Sequence, residues 1–233
     1  MDDYLKETLL LDYKHPKIQK LINERKWAEK DELERIRQIY NFVKDEILFG
    51  YNEKDEFKAS EILAQGYGQC NTKSTLLMAL LRAVGIPTRV HGFLVDKTMQ
   101  KGALVGLTYL LAPAKVSHTW AEVYYNDNWI VLEGVIPDND YYNAVEDILQ
   151  KRNDGYYGYA IAIKEKCSEN FCFTGKDTYS QSLAITDDVG IYDSPEAFYE
   201  KYKNAPTPIK RFLYGKIFSR RLNKHLQKIR NKK

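Results

Sequence analysis

Five residues constrain this chain more than any others. Gly66-Tyr67-Gly68-Gln69-Cys70 runs straight into a leucine-rich stretch that Gly85 and Pro87 close. Leu76, Leu77, Leu80, Leu81 and Val84 recur at the spacing of a buried helical face, so a helix is expected from about Cys70 to Val84. A cysteine at such a helix start faces the positive end of the helix dipole and unpaired backbone N–H groups, which favour thiolate over thiol. The same N–H groups can serve an oxyanion that develops on an attacked carbonyl. The glycines before it let the backbone turn sharply. Position alone also fits a small buried residue that merely opens a core helix.

Around this motif the pattern predicts helices first and strands after. Pro16 to about Trp27 and Asp31 to about Phe49 read as helices, the second with Leu33, Ile36, Ile39, Tyr40, Val43 and Ile47 on one stripe. Lys58 to Ala64 reads as a helical turn or two. Strands are expected at Thr88 to Val95, Ser117 to Tyr125, Trp129 to Val135, Tyr156 to Lys164 and Tyr179 to Ile185, with Asn126-Asp127 as a tight turn. Ser194-Pro195-Glu196 opens a helix to about Tyr202, and Asn204 to Pro208 reads as a linker. That order argues for an α+β fold over a doubly wound sheet.

Charge divides the chain. The net charge is only +3, but Ile209 to Lys233 holds ten Lys and Arg and no acid, leaving 25 basic against 32 acidic side chains in the rest. The reading is therefore a domain over residues 1–208 with a basic helical tail at 209–233. At about 100° per residue, Phe218, Leu222, Leu226 and Ile229 form one stripe opposite Arg220, Arg221, Lys224 and Lys228. Such a helix suits an anionic membrane surface, nucleic acid or an acidic partner, or else docks its stripe on its own domain. Three cysteines are too few for a disulfide framework. Cys167 and Cys172, without further ligands nearby, do not suggest zinc, and neither metal nor cofactor is expected. The N-terminus lacks a signal pattern, and Gly102 to Ala114 is too short and proline-broken to span a bilayer. A cytoplasmic location is expected.

A thiol nucleophile needs a base, and the base an orienter. His118 opens His118-Thr119-Trp120-Ala121-Glu122-Val123, and Glu133 ends the next strand pattern. If Asn126 and Asp127 form a two-residue loop, Tyr125 opposes Asn128 and Glu133 faces Trp120. His118 then lies two residues along on the same side, within reach of a long side chain. A three-residue loop would put the two on opposite faces. In isolation, a hydrogen-bonded strand histidine and a solvated strand-end acid fit equally well.

Together these segments resemble the transglutaminase-like superfamily of papain-like cysteine enzymes. The resemblance rests on Gly68-Gln69-Cys70, the run Leu81-Arg82-Ala83-Val84-Gly85-Ile86-Pro87-Thr88-Arg89, His118 to Val123, and Trp129 to Glu133, spanning about residues 31–138. It implies a papain-like core in which the Cys-bearing helix packs on an antiparallel sheet behind N-terminal helices, with the basic C-terminal helix added. It also implies Cys70 as nucleophile and His118 as its proton partner. Glu133 stands where the family usually has aspartate, which changes reach and angle; Asp138 and Glu122 are fallbacks. The Cys70 N–H is the favoured oxyanion donor, with Gln65 or Gln69 as a second.

The expected activity is cysteine-dependent acyl transfer on peptide or protein amides through a thioester, with hydrolysis favoured over transamidation. The alternative is a catalytically silent module that binds peptide or another macromolecule. Arg82 and Arg89 are expected in structural ion pairs. Tyr141, Tyr142, Tyr156, Tyr157 and Tyr159 are expected in packing of partly wet strands rather than in a binding groove. The segment between Val95 and Ser117 reads either as an apolar flap beside the cleft or as a hairpin packed on the core.

Overall fold

The computed structural model describes residues 1–152, 155–164, 171–202 and 219–231. Helices α1 (Pro16–Arg25) and α2 (Glu32–Asn41) come first, each opened by a side-chain cap: His15 accepts from Lys17 N, and Asp31 from Glu34 N. The expected helix to Phe49 stops earlier. After one π turn, Phe42–Glu46, the chain extends as β1 (Leu48–Phe49), whose backbone is claimed from elsewhere. Leu48 N donates to Gly66 O (3.0 Å), Gly50 N to Gly68 O (2.9 Å) and Phe49 N to Asp138 Oδ2 (2.7 Å). Those bonds outweigh the helical stripe. The parallel partner β2 (Tyr67–Gly68) follows α3 (Ala59–Gln65), which Gly66 closes at φ 70°.

Helix α4 (Cys70–Ala83) is the centre of the molecule. Leu76, Leu77, Leu80 and Leu81 are fully buried in one core with Ile36, Ile39 and Tyr40 of α2 and with sheet residues Val90, Ala121 and Val123. The sheet runs β5 (Asn128–Val131), β4 (Lys115–Tyr125), β3 (Thr88–Asp96), β8 (Ile185–Tyr192), antiparallel throughout. Side-chain alternation sends Phe93, Trp120 and Val131 into a second cluster, separate from the α4 core. The α+β reading and the antiparallel sheet under the Cys-bearing helix are what the chain forms.

Several expected strands take another shape. Trp129 to Val135 is strand only to Val131, and Glu133–Val135 is a 3₁₀ turn. Tyr156 to Lys164 is a hairpin, β6 (Tyr156–Gly158) and β7 (Ile161–Ile163), because Tyr159 and Ala160 take positive φ and reverse the chain. Over Tyr179 to Ile185 lies a 3₁₀ turn, Ser182–Ala184, and the true strand β8 begins only at Ile185.

Helix α6 (Asn139–Gln150), capped by Asp138, was not anticipated; its buried Tyr141, Tyr142, Val145 and Leu149 show that two of the five tyrosines pack from a helix. Helix α7 (Pro195–Lys201) follows β8. Within the 96–116 stretch a 3₁₀ turn (Lys97–Gln100) precedes the short helix α5 (Leu107–Leu111).

The C-terminal helix α8 (Ser219–Arg230) buries Leu222, Leu226 and Ile229 in the main core. Arg230 pairs with Asp138 (2.5 Å) and donates to Phe49 O (2.6 Å), while Asn223 exchanges two hydrogen bonds with the Tyr51 backbone. Leu222, Leu226 and Ile229 of the stripe are thus turned inward against the core. Cys167, the 204–208 linker, residues 209–217 and Phe218 lie outside the described residues.

Candidate active site

Cys70 occupies the first position of α4, and the loop before it is held from several sides. Gln69 N donates to Thr72 Oγ1 (2.9 Å), and Thr72 Oγ1 donates to Asn52 Oδ1 (2.6 Å). Asn52 Nδ2 donates in turn to Tyr67 O and to Gln65 Oε1 (2.9 Å). Gly68 is needed for close packing: a Cβ there would lie 2.7 Å from Thr72 Oγ1 and 2.9 Å from Lys73 Cγ. Beneath the loop, Lys73 is fully buried and its ammonium donates to Lys44 O (3.0 Å) and Ile136 O (2.9 Å). Burial is the main reason its pKa is pulled down to about 7.

The Cys70 side chain is half-buried, and its Sγ lies 3.6 Å from Asn71 Oδ1. Asn71 is itself buried and accepts from Thr119 Oγ1 (3.1 Å), which ties the helix start to β4.

His118 and Glu133 are both fully buried, with Nε2 of the ring 2.8 Å from Oε1 of the carboxylate. A two-residue turn makes this meeting feasible. Asn126 and Asp127 both have positive φ (50° and 61°), Tyr125 opposes Asn128, and the ladder ends with Glu122 opposite Val131. Glu133 then reaches the ring from the 3₁₀ turn just beyond the strand. The segment from Thr178 to Ser180 fixes it there. Ser180 N donates to Oε2 (3.0 Å), Ser180 Oγ to the Glu133 carbonyl (3.0 Å), and Gly134 N to Thr178 O.

With Nε2 committed to the carboxylate, Nδ1 is buried and has no hydrogen-bond partner. Burial alone would lower the His118 pKa, but the charge of Cys70 and a polar interaction with its sulfur, then Glu133, push it up to about 10. The surroundings of the ring thus favour its protonated form, with the cysteine and the carboxylate as the causes. Such an arrangement can store one proton and release it to a leaving group. Phe93 and Trp120 flank the ring at 6.3 and 6.1 Å between centroids.

The structure brings Cys70, His118 and Glu133 together. The fallback acids are engaged elsewhere: Glu122 accepts from Arg89, His91 and Trp120, and Asp138 caps α6 and holds Arg230. Gln69 gives its amide nitrogen to Asp55 (2.5 Å), whereas Gln65 is bonded through Oε1, leaving Nε2 as its donor end. Arg89 does pair with Glu122. Arg82 differs from the ion pair expected, since it donates to Thr88 Oγ1 and to the carbonyls of Thr88, Lys6 and Asp193.

Sequence reasoning did not single out Asn71, Lys73 or Ser180. Asn71 could have been noticed as a polar neighbour of the cysteine. Ser180 supports Glu133 largely through its backbone, which leaves no residue signal. Two surface clefts of about 360 and 530 Å³ lie along Tyr125, Trp129 and Asp177 and along Arg37, Cys172 and Phe173; neither reaches Cys70. Among the described residues no cluster of three or more His, Cys, Asp or Glu side chains could hold a metal ion, and no helix is long and apolar enough to cross a membrane.

Comparison with known structures finds distant likenesses, among them the following two. One is a "Putative Cysteine Protease" from Cytophaga hutchinsonii, 22% identical, covering 55% of this chain and 39% of that one at a TM-score of 0.40. The other is red sea bream transglutaminase, 21% identical, covering 56% of this chain and 25% of that one at a TM-score of 0.31. The chain thus spans well under half the length of either. No curated protein matches it. The family model described as "Transglutaminase-like superfamily" matches residues 19–134, which hold Cys70, His118 and Glu133. Over those residues this chain belongs to the transglutaminase-like superfamily.

Proposed function

We propose that this chain is a cysteine-dependent enzyme that breaks amide or peptide bonds through a thioester on Cys70, with water as the favoured acceptor. One observation carries the reading: His118 is clamped by Glu133 through Nε2, while its Nδ1 is left without a hydrogen bond and its pKa is raised under the influence of Cys70 and Glu133.

The Cys70 sulfur attacks the acyl carbon, and the charge that develops on the carbonyl oxygen meets the Cys70 N–H at the start of α4. Gln65 is taken as the second donor over Gln69, because the Gln69 amide nitrogen is already given to Asp55. His118 passes its proton to the departing amine as the C–N bond breaks. Water then attacks the thioester, gives a proton back to His118, and the carboxylic acid leaves as the sulfur regains its electron pair. Glu133 keeps the ring oriented and balances its charge throughout. Peptides or protein amides are the substrate class, and hydrolysis is favoured because water needs no second binding pocket.

The test is profiling with peptide amides and glutamine donors, in the presence and absence of an added amine, comparing wild type with Cys70→Ala. Release of amine together with a mass adduct on Cys70 supports the reading. Incorporation of the added amine would shift it to transamidation. Peptide binding without adduct or turnover would instead favour a silent binding module.

A further inference from the structure

Helix α5 carries apolar side chains that no described residue covers. Leu107, Leu110 and Leu111 are 58%, 72% and 63% exposed, and Val105 just before them is 42% exposed. Singly exposed leucines are ordinary, but a contiguous group marks a contact surface. The segment is nonetheless held in place. Thr108 is buried, Tyr109 and Ala112 pack against the main core, and Lys97 Nζ donates to Ala112 O (2.8 Å). At its near end His225 Nε2 of α8 donates to Gly102 O (2.8 Å). The leucines are therefore the outward side of a fastened tip.

The helix that fastens it supplies the complementary charge. Arg220, Arg221, Lys224 and Lys228 of α8 are all exposed, the helix holds no acid, and Lys101 is exposed at the base of the tip. Because α8 has spent its own apolar stripe on the core, an apolar contact must come from elsewhere.

We propose that the α5 tip inserts Leu107, Leu110 and Leu111 into the interface of an anionic phospholipid bilayer, with the outward cationic side chains of α8 and Lys101 against the headgroups. Exposed aliphatic side chains, on a segment that His225 ties to α8, together with cations that no described residue pairs, suit acyl chains beneath phosphate. A groove for single-stranded nucleic acid would pair its cations with aromatic stacking faces, and a duplex would leave the exposed leucines without a partner. This surface is independent of the proposed chemistry at Cys70.

The test is flotation of the full chain with vesicles of phosphatidylcholine alone and of phosphatidylcholine and phosphatidylserine in equal parts. Binding is expected on the mixed vesicles and is expected to fall as salt rises. Leu107→Ser with Leu110→Ser should weaken it about tenfold or more, with thermal unfolding unchanged because both side chains are exposed. Lys224→Glu with Lys228→Glu should also weaken it at least about tenfold, since each charge near such a surface is worth about fivefold. Absence of binding to the mixed vesicles, or binding that survives both double substitutions, overturns the proposal. So does a dimer, seen by sedimentation equilibrium, that the leucine substitutions dissolve, because a second copy would then be the occupant.

Discussion

His91 on β3 and His118 on β4 both meet a glutamate, yet they differ in the nitrogen that is left over. His91 places Nδ1 2.9 Å from Glu122 Oε1 and Nε2 2.9 Å from Asp188 Oδ1, so both ring nitrogens are spent on carboxylates. His118 gives only Nε2 to Glu133, and its Nδ1 is unpartnered. Both pKa values are raised: burial opposes the charge at each, and the hydrogen bonds to Glu122 and Asp188 overcome it at His91, as Cys70 and Glu133 do at His118. A raised pKa therefore does not by itself separate the two histidines. The open nitrogen beside a cysteine does, and the proposed function rests on it. His91 is a strut between β4 and β8, and its ring lies over Phe93 at 4.2 Å.

The comparison can be broken most forcefully at the nucleophile and its partner. Cys70→Ala and His118→Ala should each cost roughly ten-thousandfold in amide turnover, whereas His91→Gln should cost less than about threefold. Equal losses at the two histidines, measured as kcat/KM, would erase the distinction. Glu133→Gln keeps the shape and an acceptor for Ser180 N but removes the charge facing the imidazolium. It should lower kcat roughly 10²- to 10⁴-fold with little change in KM, and cost about 3–5 kcal/mol of stability by leaving a buried charge without its partner. A denaturant titration alongside the kinetics separates the two effects.

Stability against pH gives a finer comparison. A histidine whose pKa is raised on folding contributes stability that is fully present below its unfolded value of 6.5. For His118 that contribution is lost as pH rises through about 10. Melting temperature should therefore fall from neutral pH toward pH 10, more steeply in wild type than in His118→Ala. Glu122 and Asp188 act in the opposite sense, with pKa values lowered chiefly by the bond to His91 against burial. Their contribution is present above the unfolded values of 4.5 and 3.8 and is lost as pH falls. The smallest effect is expected at Asp188, which is mostly exposed: Asp188→Asn should cost less than about 1 kcal/mol.

Much of the site could be read from the chain because it depends on short-range rules. Helical spacing after Cys70 gave α4 to within one residue of its end, and Asn126-Asp127 gave the register that puts Glu133 on the His118 side. What escaped depends on partners far along the chain. Phe49 was assigned to a helix, yet Asp138 and Arg230 take its backbone N–H and carbonyl. Lys73 carries no local signal of burial, yet its ammonium is satisfied by two distant carbonyls and the side chain is fully buried. The α8 stripe could equally have met lipid or protein; only the packing of Leu222, Leu226 and Ile229 against the core decides it. α6 had its own local signal, with Asp138 capping and Tyr141, Val145 and Leu149 at four-residue spacing, and was missed among tyrosines read as strand.

The account rests on an imidazolium at His118 that keeps the Cys70 sulfur ready to react. Iodoacetamide alkylation of Cys70, followed by mass spectrometry across pH in wild type and His118→Ala, tests it without any substrate. In wild type the rate should stay high well below the pH of about 8.5 at which a free cysteine thiol ionises, and His118→Ala should lose that acid-side reactivity. Wild-type alkylation that follows the same pH curve as His118→Ala, or as a simple peptide thiol, would contradict the account.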